Sequence, residues 1–129
     1  MGKRKFTVLF IGWMVLITSS SLFSFSVEGE SKVWFPNMDK VVHFVFHLVI
    51  LVLGYVSLTE INVFNRDWRK KVSALVLFSL AYGLLIELLQ WVMPFDRAAE
   101  FWDVMANLIG AITGGLLIQR NRSLIERLK

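Results

Sequence analysis

Seven side chains in this sequence have the types and spacing for acid–base, ionic or metal chemistry: His43, His47, Glu87, Gln90, Arg97, Asp103 and Asn107. Glu87 and Gln90 are one helical turn apart in ELLQ, so they share nearly one helix face. Asp103 and Asn107 in DVMAN, and His43 and His47 in HFVFH, are spaced four apart and do the same. A carboxylate amid apolar residues is costly and stays protonated unless partners hold its charge. Glu87 beside a histidine would suit general acid–base work, with His43 as its proton partner. An HxxxH pair can also ligate zinc, with Glu87 or Asp103 as third ligand, but that spacing alone is a weak metal signature. No metal and no other cofactor is therefore expected, and His43, His47 and Glu87 remain the fallback ligand set. The chain has no Cys, which excludes disulfides, thiolate nucleophiles and Cys-based metal sites.

These polar groups interrupt long apolar runs. Of the 129 residues 56% are hydrophobic, and the mean hydropathy is +0.60, which places the chain among membrane proteins. The 11 Phe and 5 Trp suit contact with lipid and its interfaces. Crossing the hydrocarbon takes about 17–25 mostly apolar helical residues. Four segments qualify, at approximately 6–23, 41–58, 72–92 and 101–118. The first, preceded by Lys3, Arg4 and Lys5, also resembles a signal peptide. It is long and lacks an Ala-x-Ala site, so a retained helix is expected. The fold expected is an all-α, four-transmembrane-helix bundle forming one domain, without internal repeats.

Basic residues set the expected orientation. Eleven of the 14 Lys and Arg residues fall before the first segment (Lys3, Arg4, Lys5), between the second and third (Arg66, Arg69, Lys70, Lys71), or after the fourth (Arg120, Arg122, Arg127, Lys129). Only Lys32, Lys40 and Arg97 lie elsewhere, so both termini should be cytoplasmic. In a membrane chain the net charge of +4 reports topology and not nucleic-acid binding. The tail QRNRSLIERLK reads as a short basic interfacial helix held at anionic lipid. Trp91 and Trp102 read as interface anchors, and Trp68 as another in the loop at the opposite face. In this topology Glu87 lies about 8 Å below the outer surface, at about 1.5 Å per residue. Gln90 is a turn further out, His43 just inside the membrane, and Asp103 and Asn107 on the entering face of the fourth helix. Three helices thus bring polar groups to one depth, with Asp39 and Lys40 at the rim and Arg97 above. Ala106, Gly110 and Gly114 form a small-residue stripe for close helix packing, within one chain or between copies of an oligomer.

The stretches Met38-Asp39-Lys40-Val-Val-His43-Phe44, Gly83-Leu-Leu-Ile-Glu87-Leu-Leu-Gln90 with Pro94 and Arg97, and Asp103-Val-Met-Ala-Asn107-Leu-Ile-Gly110-Ala with Gly114 resemble the three signatures of the VanZ-like family. Order and spacing agree from about Asp39 to Gly115. His47 departs from the family pattern, where an aromatic is more usual, so His43 is the better site candidate. The resemblance implies a small protein of the bacterial cytoplasmic membrane. The family is named for an accessory protein of glycopeptide-resistance clusters, linked to reduced teicoplanin susceptibility, and it brings no established reaction.

Three functions are compatible with these residues. A binding or envelope-modifying protein would use Asp39, Lys40, His43, Glu87, Gln90, Arg97, Asp103 and Asn107 to hold a lipid-linked cell-wall precursor or a lipoglycopeptide. Arg97, Lys40 and His43 could engage an anionic group, but the acids Glu28, Glu30, Asp39, Asp96, Glu100 and Asp103 outnumber the three basic residues on that side, so a sugar, peptide or amine fits at least as well as a phosphate. An intramembrane hydrolase or transferase would use Glu87 and His43 as catalytic residues on a lipid headgroup. In a structural or interaction subunit, the same groups would only hold helices together, as polar residues between membrane helices often do. Membrane lipids are expected partners; nucleic acid is not.

Overall fold

The computed structural model describes residues 4–22, 38–65, 67–92 and 101–127. Five helices follow one another: α1 (Lys5–Leu22), α2 (Met38–Glu60), α3 (Trp68–Val92), α4 (Phe101–Arg120) and α5 (Arg122–Glu126). The first four are long and apolar enough to cross a membrane, and no strand occurs among the described residues. The chain is the all-helical, four-span bundle that its hydropathy predicts. Leu77, Leu84, Leu88 and Leu116 are each at least half exposed on the outside of the bundle. Such a surface suits hydrocarbon, where backbone groups must be satisfied within helices.

α2 is the central helix. Its pairing with α4 is the most extensive in the bundle, α3 packs on both, and α1 packs on α2 and α3. Gly110 makes the α2–α4 approach possible, because a Cβ there would collide with the Phe44 carbonyl oxygen. Gly114 faces Leu48 and Leu51 one turn on, while Ala106 is half-buried at the flank of this stripe. The stripe serves packing within the chain. Ile17, Ile50, Leu51, Tyr55, Leu75, Ala111 and Ile118 form the apolar core between the helices.

The helix ends differ from the hydropathy segments for identifiable reasons. α2 continues to Glu60 and closes in a Schellman motif, with Val63 N–H donating to Leu58 O (2.9 Å) and Asn62 N–H to Thr59 O (3.2 Å). Asn62 is the left-handed residue at φ 59°. α3 starts at Trp68, a turn earlier than expected, because Asp67 Oδ1 accepts from the N–H groups of Arg69 (3.1 Å) and Lys70 (3.2 Å). Trp68 and Lys71 are therefore helix residues and not loop residues. The first turn of α1 is capped from another helix: Glu60 accepts from Phe6 N–H (3.3 Å) and Thr7 N–H (2.8 Å). α5 is tucked under the bundle, with Ile125 in the core and Glu126 accepting from the Tyr55 hydroxyl (2.6 Å).

Candidate functional site

α2, α3 and α4 bring polar residues to one end of the bundle because each carries them on its inward face at helical spacing. On α3 the residues Lys71, Leu75, Ser79, Gly83 and Glu87 follow at every fourth position, and all are buried. On α4, Asp103 and Asn107 head the buried face that continues into Gly110 and Gly114. On α2, His43 and His47 are both buried.

The geometry is specific. The Lys40 ammonium lies 3.1 Å from Asp103 Oδ1, with 23% of the lysine side chain and 6% of the aspartate side chain exposed. His43 Nε2 lies 3.5 Å from Asp103 Oδ2, and His43 Nδ1 lies 3.1 Å from Asn107 Oδ1. A carbonyl oxygen only accepts, so this contact assigns the proton to Nδ1 and aims Nε2 at the carboxylate. Glu87 is 7% exposed, and one ligand atom each from His43, Glu87 and Asp103 lies within 4.8 Å of the others. The Asn107 amide sits in the notch left by Gly83, where a Cβ would be 2.8 Å from Asn107 Nδ2. Methyl-sized bulk at Gly83 would push this amide off His43.

Two expected members point elsewhere. His47 Nδ1 pairs with Ser79 Oγ at 2.5 Å, a turn below the cluster. The metal-capable set among the described residues is accordingly His43, Glu87 and Asp103, with Asp103 in the place considered for His47. The reason is rotational: His47 follows the α2 face toward α3, opposite Ser79, while Asp103 enters from α4. Gln90 Nε2 donates to the Ser21 carbonyl at 2.8 Å, which ties α3 to the last turn of α1. That carbonyl is one of the acceptors a helix C-terminus leaves open. Gln90 Oε1 is buried and meets no donor among the described residues. Ser79, Gly83 and Ser21 were not singled out as site components in the sequence. The every-fourth-residue line on α3 was the available signal for the first two. Arg97 and the side chain of Asp39 lie outside the described residues, as do Pro94, Asp96 and Glu100.

Chemically, the cluster offers two carboxylates, one imidazole and one ammonium, all shielded by apolar helices. It could pass a proton between Glu87, Asp103 and His43, or it could hold a hydrogen-bond donor against two carboxylates. It could also hold a divalent cation. In that case the Asn107 carbonyl would orient the imidazole from behind, the usual arrangement for a ligating histidine.

No curated protein and no solved structure matches the chain. The family model described as VanZ/LLP1 matches residues 4–122, a range that contains all four long helices and every residue of the cluster. The chain belongs to the VanZ/LLP1 family.

Proposed function

We propose that this protein lies in the bacterial cytoplasmic membrane with both termini inside, and that its Glu87 end binds the polar part of an outer-leaflet amphiphile. The class is a lipid-linked envelope component or a lipoglycopeptide, whose acyl chain would lie along the apolar helices. The observation that carries this reading is the convergence of His43, Glu87 and Asp103 from three helices into one buried cluster. Charges buried at this depth are expensive and mark function by default. The two carboxylates of the cluster are acceptors, so the favoured headgroup is rich in donors, such as an amine, sugar or peptide. Lys40 braces Asp103, and Asn107 holds His43. Gln90 braces α1 and offers Oε1. Family membership supports a role in tolerance of teicoplanin-type antibiotics.

The test is growth under teicoplanin of cells expressing wild type, Glu87→Gln or Asp103→Asn at equal membrane levels. Wild type should raise tolerance and both variants should lose the gain. Full protection by both would defeat the reading.

A second reading has its own observation. The three ligand atoms within 4.8 Å would suit a divalent cation after small side-chain rotations, with the cation polarising a headgroup ester for hydrolysis. Lys40 holds Asp103 Oδ1, while Asp103 Oδ2 and His43 Nε2, 3.5 Å apart, would be facing ligand atoms for such an ion. In this version His43 serves as a ligand and no longer as a general base. Elemental analysis of wild type against His43→Gln separates the two: a stoichiometric metal that the variant loses favours this reading, and equal background in both removes it.

A further inference from the structure

The opposite end of the bundle carries a second site that the reading above does not use. A cavity of about 970 Å³ opens among the end of α2, the turn after it, the start of α3, and α5. That is far more than a few waters need and lies at the upper end of small-ligand pockets. Its wall includes Lys71, Arg122, Asn62, Asn65, Trp68 and Glu126.

The cations in this wall are held in place. Lys71 is 2% exposed, although lysine is seldom buried. Its ammonium donates to Thr59 Oγ1 at 3.0 Å and stands 5.3 Å from the centre of the Tyr55 ring. The Arg122 guanidinium lies over the Trp68 ring at 5.0 Å. Stacking uses the face of a guanidinium and leaves its edge donors for an oxyanion. The single carboxylate in the wall, Glu126, already accepts from the Tyr55 hydroxyl at 2.6 Å. Two amide side chains, Asn62 and Asn65, add donors. They sit in a turn where Asn62, Phe64 and Asn65 all have positive φ, at 59°, 61° and 53°. The Schellman closure explains Asn62, asparagine adopts this region readily at Asn65, and only the bulky Phe64 holds a costly conformation.

From these observations we propose that this cavity binds a phosphate-bearing anion. It places the Arg122 guanidinium and two amides around a volume large enough for a phosphate ester, with the buried charge of Lys71 behind them, at the level where four apolar spans end. A phospholipid headgroup and a free phosphate ester share this chemistry. The site is independent of the Glu87 end, so either can fail alone.

The test uses the full chain in a neutral detergent and reads the midpoint of thermal unfolding. The probes are phosphatidylglycerol, diacylglycerol as a phosphate-free control, and glycerol phosphate. Phosphatidylglycerol or glycerol phosphate should raise the midpoint by about 3 °C or more at saturation. Diacylglycerol should not. A shift from phosphatidylglycerol alone assigns a lipid headgroup, and an equal shift from glycerol phosphate assigns a free ester. Arg122→Gln, on a half-buried residue, should weaken the response about tenfold in ligand concentration, the loss of one charge-assisted bond. Arg127→Gln, on an exposed residue, should leave it intact. A shift equally strong with diacylglycerol, equal loss in both arginine variants, unchanged binding in Arg122→Gln, or no shift with either phosphate would overturn the site.

Discussion

The two ends of α3 make opposite uses of one inward face. Lys71 and Glu87 are joined by an unbroken line of buried residues every four positions, about 24 Å apart along the helix. At the Glu87 end, Asp103 meets a lysine and a histidine, and that histidine is held by an amide. At the Lys71 end, two cations and two amides line a cavity with one carboxylate, which accepts from a tyrosine. One end is packed and carries two carboxylates; the other is open and lined by two cations. The difference teaches how a small bundle can carry charge. The acidic cluster is tolerated because its members hold one another among three helices. The basic cluster is tolerated because aromatic rings and hydroxyls line its cations.

Breaking what the two ends share should have the largest effect. Gly110→Leu would drive a side chain into the Phe44 backbone and separate α2 from α4. It should cost about 3 kcal/mol of overpacking and impair both ends together, read as a lower unfolding midpoint with loss of each end's ligand response. A smaller change should split the ends. Asp103→Asn removes the carboxylate that lies 3.1 Å from the Lys40 ammonium, at about 2 kcal/mol given that Lys40 is partly exposed. The midpoint should fall, while the phosphate response at Arg122 persists. If that response vanished too, the ends would be coupled. The smallest effect is expected from Gln90→Leu, which removes one bond to the Ser21 carbonyl and should cost about 1 kcal/mol. Its signature should be local: faster amide exchange in the last turn of α1, with α2 and α4 unchanged.

The acidic end was largely legible in the sequence, and the basic end was not. Glu87, His43, Asp103 and Asn107 stand out because each interrupts an apolar run, and helical spacing places them on facing sides. Lys71 sits in RDWRKK beside other charges, so hydropathy assigns it to a loop or headgroup region. Its burial depends on Asp67 starting α3 one turn early and on Tyr55 and Thr59 meeting it from α2. The same holds for α5, which reads as a lipid-facing basic tail until Ile125 and Glu126 find their partners. Gln90 Nε2 donates to a backbone carbonyl of α1, a partner that no side-chain pattern encodes. Glu60 capping α1 was hidden for the same reason.

The central claim is that the buried Glu87 cluster is a ligand site and not only an inter-helix brace. Native mass spectrometry of the purified protein, wild type beside Glu87→Gln, tests it most directly, because Gln keeps the shape and most hydrogen bonds while removing the titratable carboxyl. The prediction is a defined amphiphile adduct on wild type that is lost or changed in mass in Glu87→Gln, with both proteins folded. The same adducts in the same proportion on both, or none on either, would contradict the claim and leave Glu87 as a structural residue.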